Sequence, residues 1–181
     1  MSLLSYNELC ELVEQGVIRD VTGDQINGAS IDVRLGDTII VETCGDLNKK
    51  QHVDIQARTN FPQKVVEIGN EYHLAPGEFI LAHTMEKFYL PDDIVAEFKL
   101  KSSGARSGLD NALATWCDQN WHDSVLTLEL RNNLRHTHII LRPGMFIGQM
   151  VFYRTEPVPH EKSYAVRGRY NKDSSVQQVK L

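Results

Sequence analysis

The stretch Ser124-Val125-Leu126-Thr127-Leu128-Glu129-Leu130-Arg131 is an apolar run that predicts a β-strand. Because side chains alternate between the two faces of a strand, its three leucines share one face. Val125, Thr127 and Glu129 share the other face, so the glutamate need not lie in the main core. The pattern predicts a sheet with one strongly apolar face and leaves Glu129 pointing either to solvent or into a cleft.

Short runs of the same kind lie on both sides of this stretch and are separated by turn residues. The predicted strands are 30–42, 65–74, 78–89, 95–100, 124–131, 138–141 and 146–153. The pairs Pro76-Gly77 and Pro143-Gly144 suit type II turns, since proline presets φ at the first central position and glycine accepts a positive φ at the second. Many short strands joined by such turns favour a sandwich or jelly roll.

One helix is predicted, near the N-terminus. Ser5-Tyr6-Asn7-Glu8 has the spacing of a capping box, in which hydroxyl and carboxylate satisfy each other's backbone amides. Leu9, Leu12 and Val13 then share one face, and Gly16 is a plausible end of the helix.

The length of 181 residues predicts a single domain with a short extension. We assign residues 1–165 to the β domain and the polar residues 166–181 to a tail that is expected to be mobile until something binds. Residues 45–62 are polar and without periodicity, which predicts a long loop.

Composition and charge exclude several functions. With 24 acidic and 19 basic residues the net charge is −5, and no basic run is dense enough to follow a nucleic-acid backbone. No apolar stretch approaches the roughly 20 residues of a membrane helix, and residues 1–4 lack a signal pattern, so a cytoplasmic protein is expected. Cys10, Cys44 and Cys117 are far apart, which predicts free thiols rather than disulfides or a Cys-x-x-Cys metal site.

The stretch Lys101-Ser102-Ser103-Gly104-Ala105-Arg106-Ser107-Gly108 has the composition of a phosphate-binding loop. Its amides and hydroxyls can donate to phosphate oxygens, while Lys101 and Arg106 can neutralise charge. The residue order of a Walker loop is absent. Composition alone also allows an ordinary polar loop.

Four blocks of the sequence resemble the dCTP deaminase branch of the dUTPase superfamily. They are 28–36 (GASIDVRLG), 101–109 (KSSGARSGL), 128–130 (LEL) and 141–149 (LRPGMFIGQ). The blocks follow in the expected order, and the resemblance extends over about residues 5 to 173. It implies a distorted jelly roll or β-barrel of the dUTPase type with a short N-terminal helix. It also implies a homotrimer whose active sites lie at subunit interfaces and are closed by the C-terminal tail.

The resemblance also assigns roles to individual residues. Ser102, Ser103 and Arg106 belong to the triphosphate and catalytic loop, and Glu129 matches the deaminase glutamate. Asp118 matches an aspartate that recognises the deoxyribose 3′-hydroxyl in deaminases and helps orient the attacking water in dUTPases. The backbone carbonyl of Ala114 is expected to hold the water. The remaining residues implied to bind substrate are Lys101, Gly104, Ala105, Thr127, Leu128, Tyr164, Arg169 and Asp173.

Hydrolytic deamination needs a water that attacks C4 of cytosine and a proton that moves to N3 and then to the departing amine. A single glutamate can make both transfers, and a carboxyl in a partly apolar cleft has the raised pKa that suits them. The His-x-Glu and Pro-Cys-x-x-Cys motifs of zinc deaminases are absent from the sequence, so we expect no zinc. Mg²⁺ is expected only as a partner of the triphosphate.

Some residues depart from the family pattern. Lys101 stands where the family has arginine, which keeps the charge but loses the bidentate fork. Asn120 and Asp123 stand where glycines are usual, and Asp173 stands where deaminases place a glutamine. The spacing from Asp118 to Glu129 is one residue longer than usual. A β-bulge would absorb the extra residue; without one, Glu129 would face away from the site.

The sequence is compatible with three functions. The first is conversion of dCTP to dUTP and ammonia, with Glu129 as general acid and base. The second is dUTP diphosphatase activity, alone or coupled to deamination, with Asp118 orienting a water toward the α-phosphate. The third is a regulator that binds a pyrimidine nucleotide without turnover.

Overall fold

Strands dominate the computed structural model, which describes residues 1–46, 48, 51–112 and 114–180. The strands are β1 (Ser2–Leu3), β2 (Ile18–Arg19), β3 (Ile31–Arg34), β4 (Thr38–Glu42), β5 (Gln63–Glu67), β6 (Tyr72–Leu74), β7 (Phe79–Tyr89), β8 (Ile94–Leu100), β9 (Leu109–Asn111), β10 (Trp116–Cys117), β11 (His122–Asn132), β12 (Ile139–Leu141) and β13 (Phe146–Arg154). The α-helices are α1 (Tyr6–Glu14), α2 (Ser102–Arg106) and α3 (Tyr164–Arg167), and 3₁₀ turns cover Gly23–Gln25 and His160–Lys162. The mostly β class with a short N-terminal helix is confirmed.

Two antiparallel sheets share one apolar core. The first has the order β1-β13-β8-β10, with β3 also paired to β13. The second has the order β5-β4-β7-β11-β9, with β2 also paired to β7, and β12 pairs with β6 in a separate ribbon. Phe98 and Phe152 from the first sheet meet Leu128 and Leu130 from the second in a single buried cluster. The predicted leucine face of β11 is confirmed for Leu128 and Leu130, whereas Leu126 is only half-buried and packs at the margin of this core.

The predicted N-terminal helix is present as α1. The backbone N–H of Ser5 donates to Oε2 of Glu8 at 2.9 Å, as the capping box predicts. Leu9 and Leu12 are buried in the core, and Val13 packs against it. The amphipathic spacing thus sets how the helix docks on the sheets.

The prediction of one strand over residues 30–42 was wrong, because the chain turns between β3 and β4. Gly36 lies so close to the imidazole of His83 that a Cβ at this position would be 2.2 Å from the ring. The backbone N–H of Gly36 also donates to the carbonyl of His83 at 2.7 Å. The predicted strand 65–74 is likewise divided, into β5 and β6.

The two predicted Pro-Gly turns have the expected geometry, since φ is +76° at Gly77 and +80° at Gly144. The short strands β1, β2, β9 and β10 were missed, because two or three residues carry no detectable alternation. In the predicted loop 45–62 the described residues form neither helix nor strand, while Leu47, Lys49 and Lys50 lie outside the described residues. Across the described ranges, no helix is long and apolar enough to span a membrane.

Candidate active site

A cavity of about 430 Å³ lies beside the second sheet, over the face of β11 that carries Glu129. Its walls come from β7, β10, β11, the chain around residues 60 and 61, and the C-terminal tail. The lining residues are Asn60, Phe61, Phe79, Leu81, Ala114, Trp116, Cys117, Trp121, Val125, Leu126, Thr127, Glu129, Tyr164, Tyr170, Asp173, Gln177, Gln178 and Val179. We call this cavity the Glu129 pocket.

Glu129 is the acidic group of β11 that faces this pocket. It lies opposite Leu81 of β7 in the antiparallel register, while its neighbours Leu128 and Leu130 point into the core. Its Oε2 atom is buried and has no hydrogen-bond partner among the described residues. Burial raises the pKa of Glu129 from 4.5 to about 7, because removal from water disfavours the charged form. The structure therefore places this glutamate in a cleft rather than on a solvent-facing surface.

The pairing of β11 with β7 is irregular between Asp118 and Glu129. From His122 to Ser124 β11 advances two residues while β7 advances one, so this shift inserts one residue in β11. From Val125 to Thr127 β11 advances two residues while β7 advances four, so the second shift lengthens β7 instead. The first shift is thus the kind of bulge that lets a strand carry an additional residue.

The two residues that replace the usual glycines have left-handed backbones. Asn120 has φ of +63° and Asp123 has φ of +52°. Asparagine and aspartate tolerate this region better than other residues with a Cβ atom. Glycine would adopt the same left-handed conformation at either position without strain.

The tail packs along the pocket-facing side of β11. The backbone N–H of Val125 donates to the carbonyl of Asp173 at 2.9 Å, and the N–H of Gln177 donates to Oγ1 of Thr127 at 3.1 Å. The ammonium of Lys180 donates to Oδ1 of Asp173, whose Oδ2 atom is buried and unpartnered within the described part of the chain. The tail therefore forms one wall of the pocket. Leu181 lies outside the described residues.

Two further residues with expected roles, Tyr164 at the start of α3 and Arg169 in the tail, differ in position. Tyr164 lines the pocket, and its pKa is raised mainly by burial. Arg169 is exposed and does not line the pocket.

The expected phosphate loop is a short helix, α2, rather than an irregular loop. The backbone N–H of Ala105 donates to the carbonyl of Lys101, and that of Ser107 donates to the carbonyl of Ser103. Ser102, Ser103, Ala105 and Arg106 are exposed.

Lys101, just before α2, is engaged within its own chain. Its ammonium donates to Oδ2 of Asp32 and lies 5.6 Å from the centroid of the Phe146 ring. Asp32 is buried, and its Oδ1 accepts a hydrogen bond from Nδ2 of Asn27 at 3.0 Å. Lys101 therefore ties the start of α2 to the first sheet.

Within one chain, the predicted site residues fall into separate groups. Ala114, Thr127, Glu129, Tyr164 and Asp173 line the Glu129 pocket.

The remaining predicted residues lie elsewhere. Ser103 and Gly104 border a second, largely apolar cavity with residues 134–145. Asp118 is exposed, and the side chain of Leu128 is buried in the core.

Sequence reasoning missed several pocket residues. Phe79 and Leu81 lie at the pocket because β7 pairs with β11. Asn60 and Phe61 come from a segment without periodicity. Alternation in β7 could have placed Phe79 and Leu81 on one face, but only the register shows that this face adjoins Glu129.

Similarity to known proteins shows the family of this chain. A family model described as dCTP deaminase-like matches residues 3–155. The chain belongs to the dCTP deaminase-like family. The resemblance first drawn from four sequence blocks is thus confirmed.

Two relatives illustrate the range of similarity within this family. An enzyme named "dCTP deaminase, dUMP-forming" from Methanospirillum hungatei is 36% identical over 153 residues, which cover 82% of this chain and 80% of the relative. A protein named "dCTP deaminase" from Haloarcula marismortui is 31% identical over 195 aligned residues, covering 99% of this chain and 94% of the relative.

A solved structure shows the same fold. The crystal structure of the 2′-deoxycytidine 5′-triphosphate deaminase from Agrobacterium tumefaciens superposes with a TM-score of 0.65 at 22% identity. The match covers 84% of this chain and 47% of that one, so the chain spans about half the length of that protein. The predicted mostly β fold is confirmed, and it is the fold of a dCTP deaminase.

Proposed function

We propose that this protein is an enzyme that hydrolytically deaminates dCTP, with Glu129 as both general base and general acid. The observation that carries the proposal is the position of Glu129 in a pocket with largely apolar walls, where its Oε2 atom is buried and has no hydrogen-bond partner among the described residues. Family membership supports the substrate, since relatives covering most of the chain are named as dCTP deaminases.

The proposed reaction passes two protons in turn through Glu129. The ionised carboxylate of Glu129 accepts a proton from water while the water oxygen bonds to C4 of the cytosine ring. The resulting carboxylic acid then protonates N3. Glu129 then takes the proton of the new hydroxyl and delivers one to the amine. The C4–N bond breaks, ammonia leaves, and a C4 carbonyl remains. A pKa near 7 suits both directions of transfer at neutral pH.

The water would lie between Glu129 and the backbone carbonyl of Ala114. Both residues line the same pocket, as this role requires. A carbonyl acceptor would orient one O–H of the water, while the carboxylate accepts the proton of the other.

The triphosphate would bind to α2 of a neighbouring subunit in a homotrimer. Ser102, Ser103 and Arg106 are exposed, but no member of α2 lines the Glu129 pocket of its own chain. A hydroxyl-rich and cationic segment suits phosphate oxygens. Assembly of subunits would bring one chain's α2 to another chain's pocket and complete the site.

Magnesium would accompany the triphosphate. Mg²⁺ prefers oxygen ligands and usually keeps several waters, so phosphate oxygens and water suffice to hold it. Among the described residues no cluster of three or more histidine, cysteine, aspartate or glutamate side chains could hold a metal ion. When bound, the ion would neutralise phosphate charge. From the protein, Arg106 and the two serines of α2 would contact the phosphate oxygens.

A second candidate function is further hydrolysis of the deaminated product to dUMP and pyrophosphate. The name "dCTP deaminase, dUMP-forming" of the Methanospirillum hungatei relative favours it. Asp118 would then orient the water for attack at the α-phosphate.

Product analysis tests both candidates. The protein is incubated with dCTP or dUTP and Mg²⁺, and ammonia, pyrophosphate and nucleotides are measured. Ammonia and dUTP from dCTP indicate deamination alone, whereas ammonia, pyrophosphate and dUMP indicate the two-step reaction. Pyrophosphate from dUTP without ammonia from dCTP would replace the proposal with a dUTP diphosphatase. Nucleotide binding without any product would leave a regulator.

A further inference from the structure

We infer that Trp116 is the side chain on which the pyrimidine ring of the substrate stacks, and that it determines specificity for an aromatic base. The inference rests on the proposed function, because it takes the Glu129 pocket as the place where the base binds. It concerns a residue to which neither the sequence motifs nor the family resemblance gives a role.

The two tryptophans of the pocket differ in how much of the ring is free. Trp121 is only 4% exposed, stacks on Phe88 with ring centroids 5.2 Å apart, and donates its indole N–H to the carbonyl of Tyr170 at 2.6 Å. Trp121 is therefore a buried part of the pocket wall whose ring and indole N–H already have partners. Trp116 also lines the pocket but is 52% exposed. Among the described aromatic residues of the lining, Trp116 alone is exposed.

Two contacts hold the exposed ring of Trp116 in place. Its indole N–H donates to Oδ1 of Asp118 at 2.9 Å. The ring of Tyr153 lies nearly parallel to it, with centroids 6.4 Å apart and 24° between the planes. A ring that is already oriented loses little freedom when a ligand packs on it. Trp116 is therefore a preorganised aromatic surface at the pocket, with Asp118 as the residue that positions it.

The chemistry of the pocket identifies what this surface fits. If Glu129 acts on C4 of cytosine, the planar base must enter the cavity that Trp116 borders. Two other rings of the lining, Phe61 and Phe79, are half-buried and pack edge to face on each other with centroids 6.2 Å apart. Stacking of a base on an aromatic side chain contributes about 1–3 kcal/mol, which corresponds to roughly 5- to 150-fold in affinity. A triphosphate without a base would gain nothing from the ring.

Tryptophan fluorescence offers a test that does not depend on turnover. The Glu129→Gln protein, which is expected to bind without deaminating, is titrated with dCTP and with inorganic tripolyphosphate, each with Mg²⁺. The same titrations are made with Glu129→Gln/Trp116→Phe. Because the chain contains 2 tryptophans, the second protein reports only Trp121.

The expected result has three parts. Addition of dCTP quenches fluorescence in the first protein, the quenching is lost in the second, and tripolyphosphate quenches neither. In affinity measurements by calorimetry, Trp116→Ala weakens dCTP binding by about tenfold or more, whereas Trp116→Phe, which keeps a ring, stays within about threefold of the parent. Tripolyphosphate affinity is unchanged in both.

Several results would overturn the inference. They are quenching that persists without Trp116, equal quenching by tripolyphosphate, and dCTP affinity unaffected by Trp116→Ala. A change in oligomeric size in Trp116→Ala would instead identify Trp116 as a subunit contact. If the parent protein releases ammonia from dCTP but dCTP does not quench the fluorescence of Trp116, only the stacking role fails. If dCTP neither binds nor reacts, the proposed function fails as well.

Discussion

Glu129 of β11 lies directly across from Leu81 of β7, so the nearest cross-strand neighbour of the proposed catalytic carboxyl is an aliphatic side chain. Phe79 precedes Leu81 by two residues on the same face of β7 and also lines the pocket. Such neighbours offer no hydrogen bond, and burial raises the pKa of Glu129 to about 7. The same apolar surroundings that make the carboxyl useful for proton transfer also make it costly to ionise.

This cost predicts a dependence of stability on pH. The pKa of Glu129 is about 7 in the folded protein and 4.5 in its ordinary state, so the unfolded chain releases the proton first as pH rises. The contribution of Glu129 to the free energy of unfolding therefore falls between about pH 4.5 and pH 7 and levels off above that. Glutamine does not titrate, so Glu129→Gln should gain stability relative to the wild type by on the order of 3 kcal/mol at most across this range. Urea denaturation at about pH 5 and pH 8 measures the difference, and a constant difference would contradict the raised pKa.

The left-handed backbone at Asn120 predicts opposite effects of two small replacements. Asn120→Ala should lower the free energy of unfolding by about 1 kcal/mol, because a Cβ without a local polar group disfavours φ of +63°. Asn120→Gly should be neutral or slightly stabilising, since glycine adopts this conformation without strain. Thermal denaturation of both variants checks this. An equal loss in the two would show that the asparagine side chain, rather than φ, is what the site requires.

The separation of α2 from the Glu129 pocket predicts complementation between two inactive variants. In a mixed oligomer of Arg106→Ala and Glu129→Gln chains, some sites would combine an intact α2 from one chain with an intact Glu129 from another. We expect each variant alone to be inactive and the mixture, refolded together, to recover ammonia release. Separately refolded variants mixed afterwards serve as the control. No recovery in the refolded mixture would place the whole site within one chain.

The ion pair of Lys180 with Asp173 predicts that the end of the chain secures the tail. Lys180→Met would leave the buried carboxylate of Asp173 unpaired, which costs more than loss of an exposed ion pair. Hydrogen exchange across residues 169–180 should then become faster, while β11 beyond the tail contacts keeps its protection. Lys162→Met, at an exposed position, is the matched control. Unchanged exchange in the Lys180 variant would show that other contacts hold the tail.

Local sequence signals predicted the parts of the fold that depend on neighbouring residues. Ser5 and Glu8 predicted the start of α1, and the alternation in β11 predicted the burial of Leu128 and Leu130. Features set by contacts between distant residues were not accessible in this way. Gly36 lies between β3 and β4 and against the ring of His83, a contact that no pattern within residues 30–42 shows.

The candidate site shows the same division. The strand pattern put Glu129 on the face away from the core, but its cleft depends on Leu81 and on the tail around Asp173. The resemblance grouped Ser103 with Glu129, although a single chain places them in different cavities. Trp116 is exposed at the pocket because it lies in the edge strand β10, a two-residue strand that no local pattern predicts.

The most direct test of the account is ammonia release from dCTP by Glu129→Gln, measured beside dCTP binding by calorimetry. The amide keeps the size of the side chain but cannot take up or deliver the proton. We predict folded protein, dCTP affinity close to that of the wild type, and a rate of ammonia release lower by about 10²- to 10⁴-fold. Ammonia release at the wild-type rate by this variant would contradict the central role of Glu129.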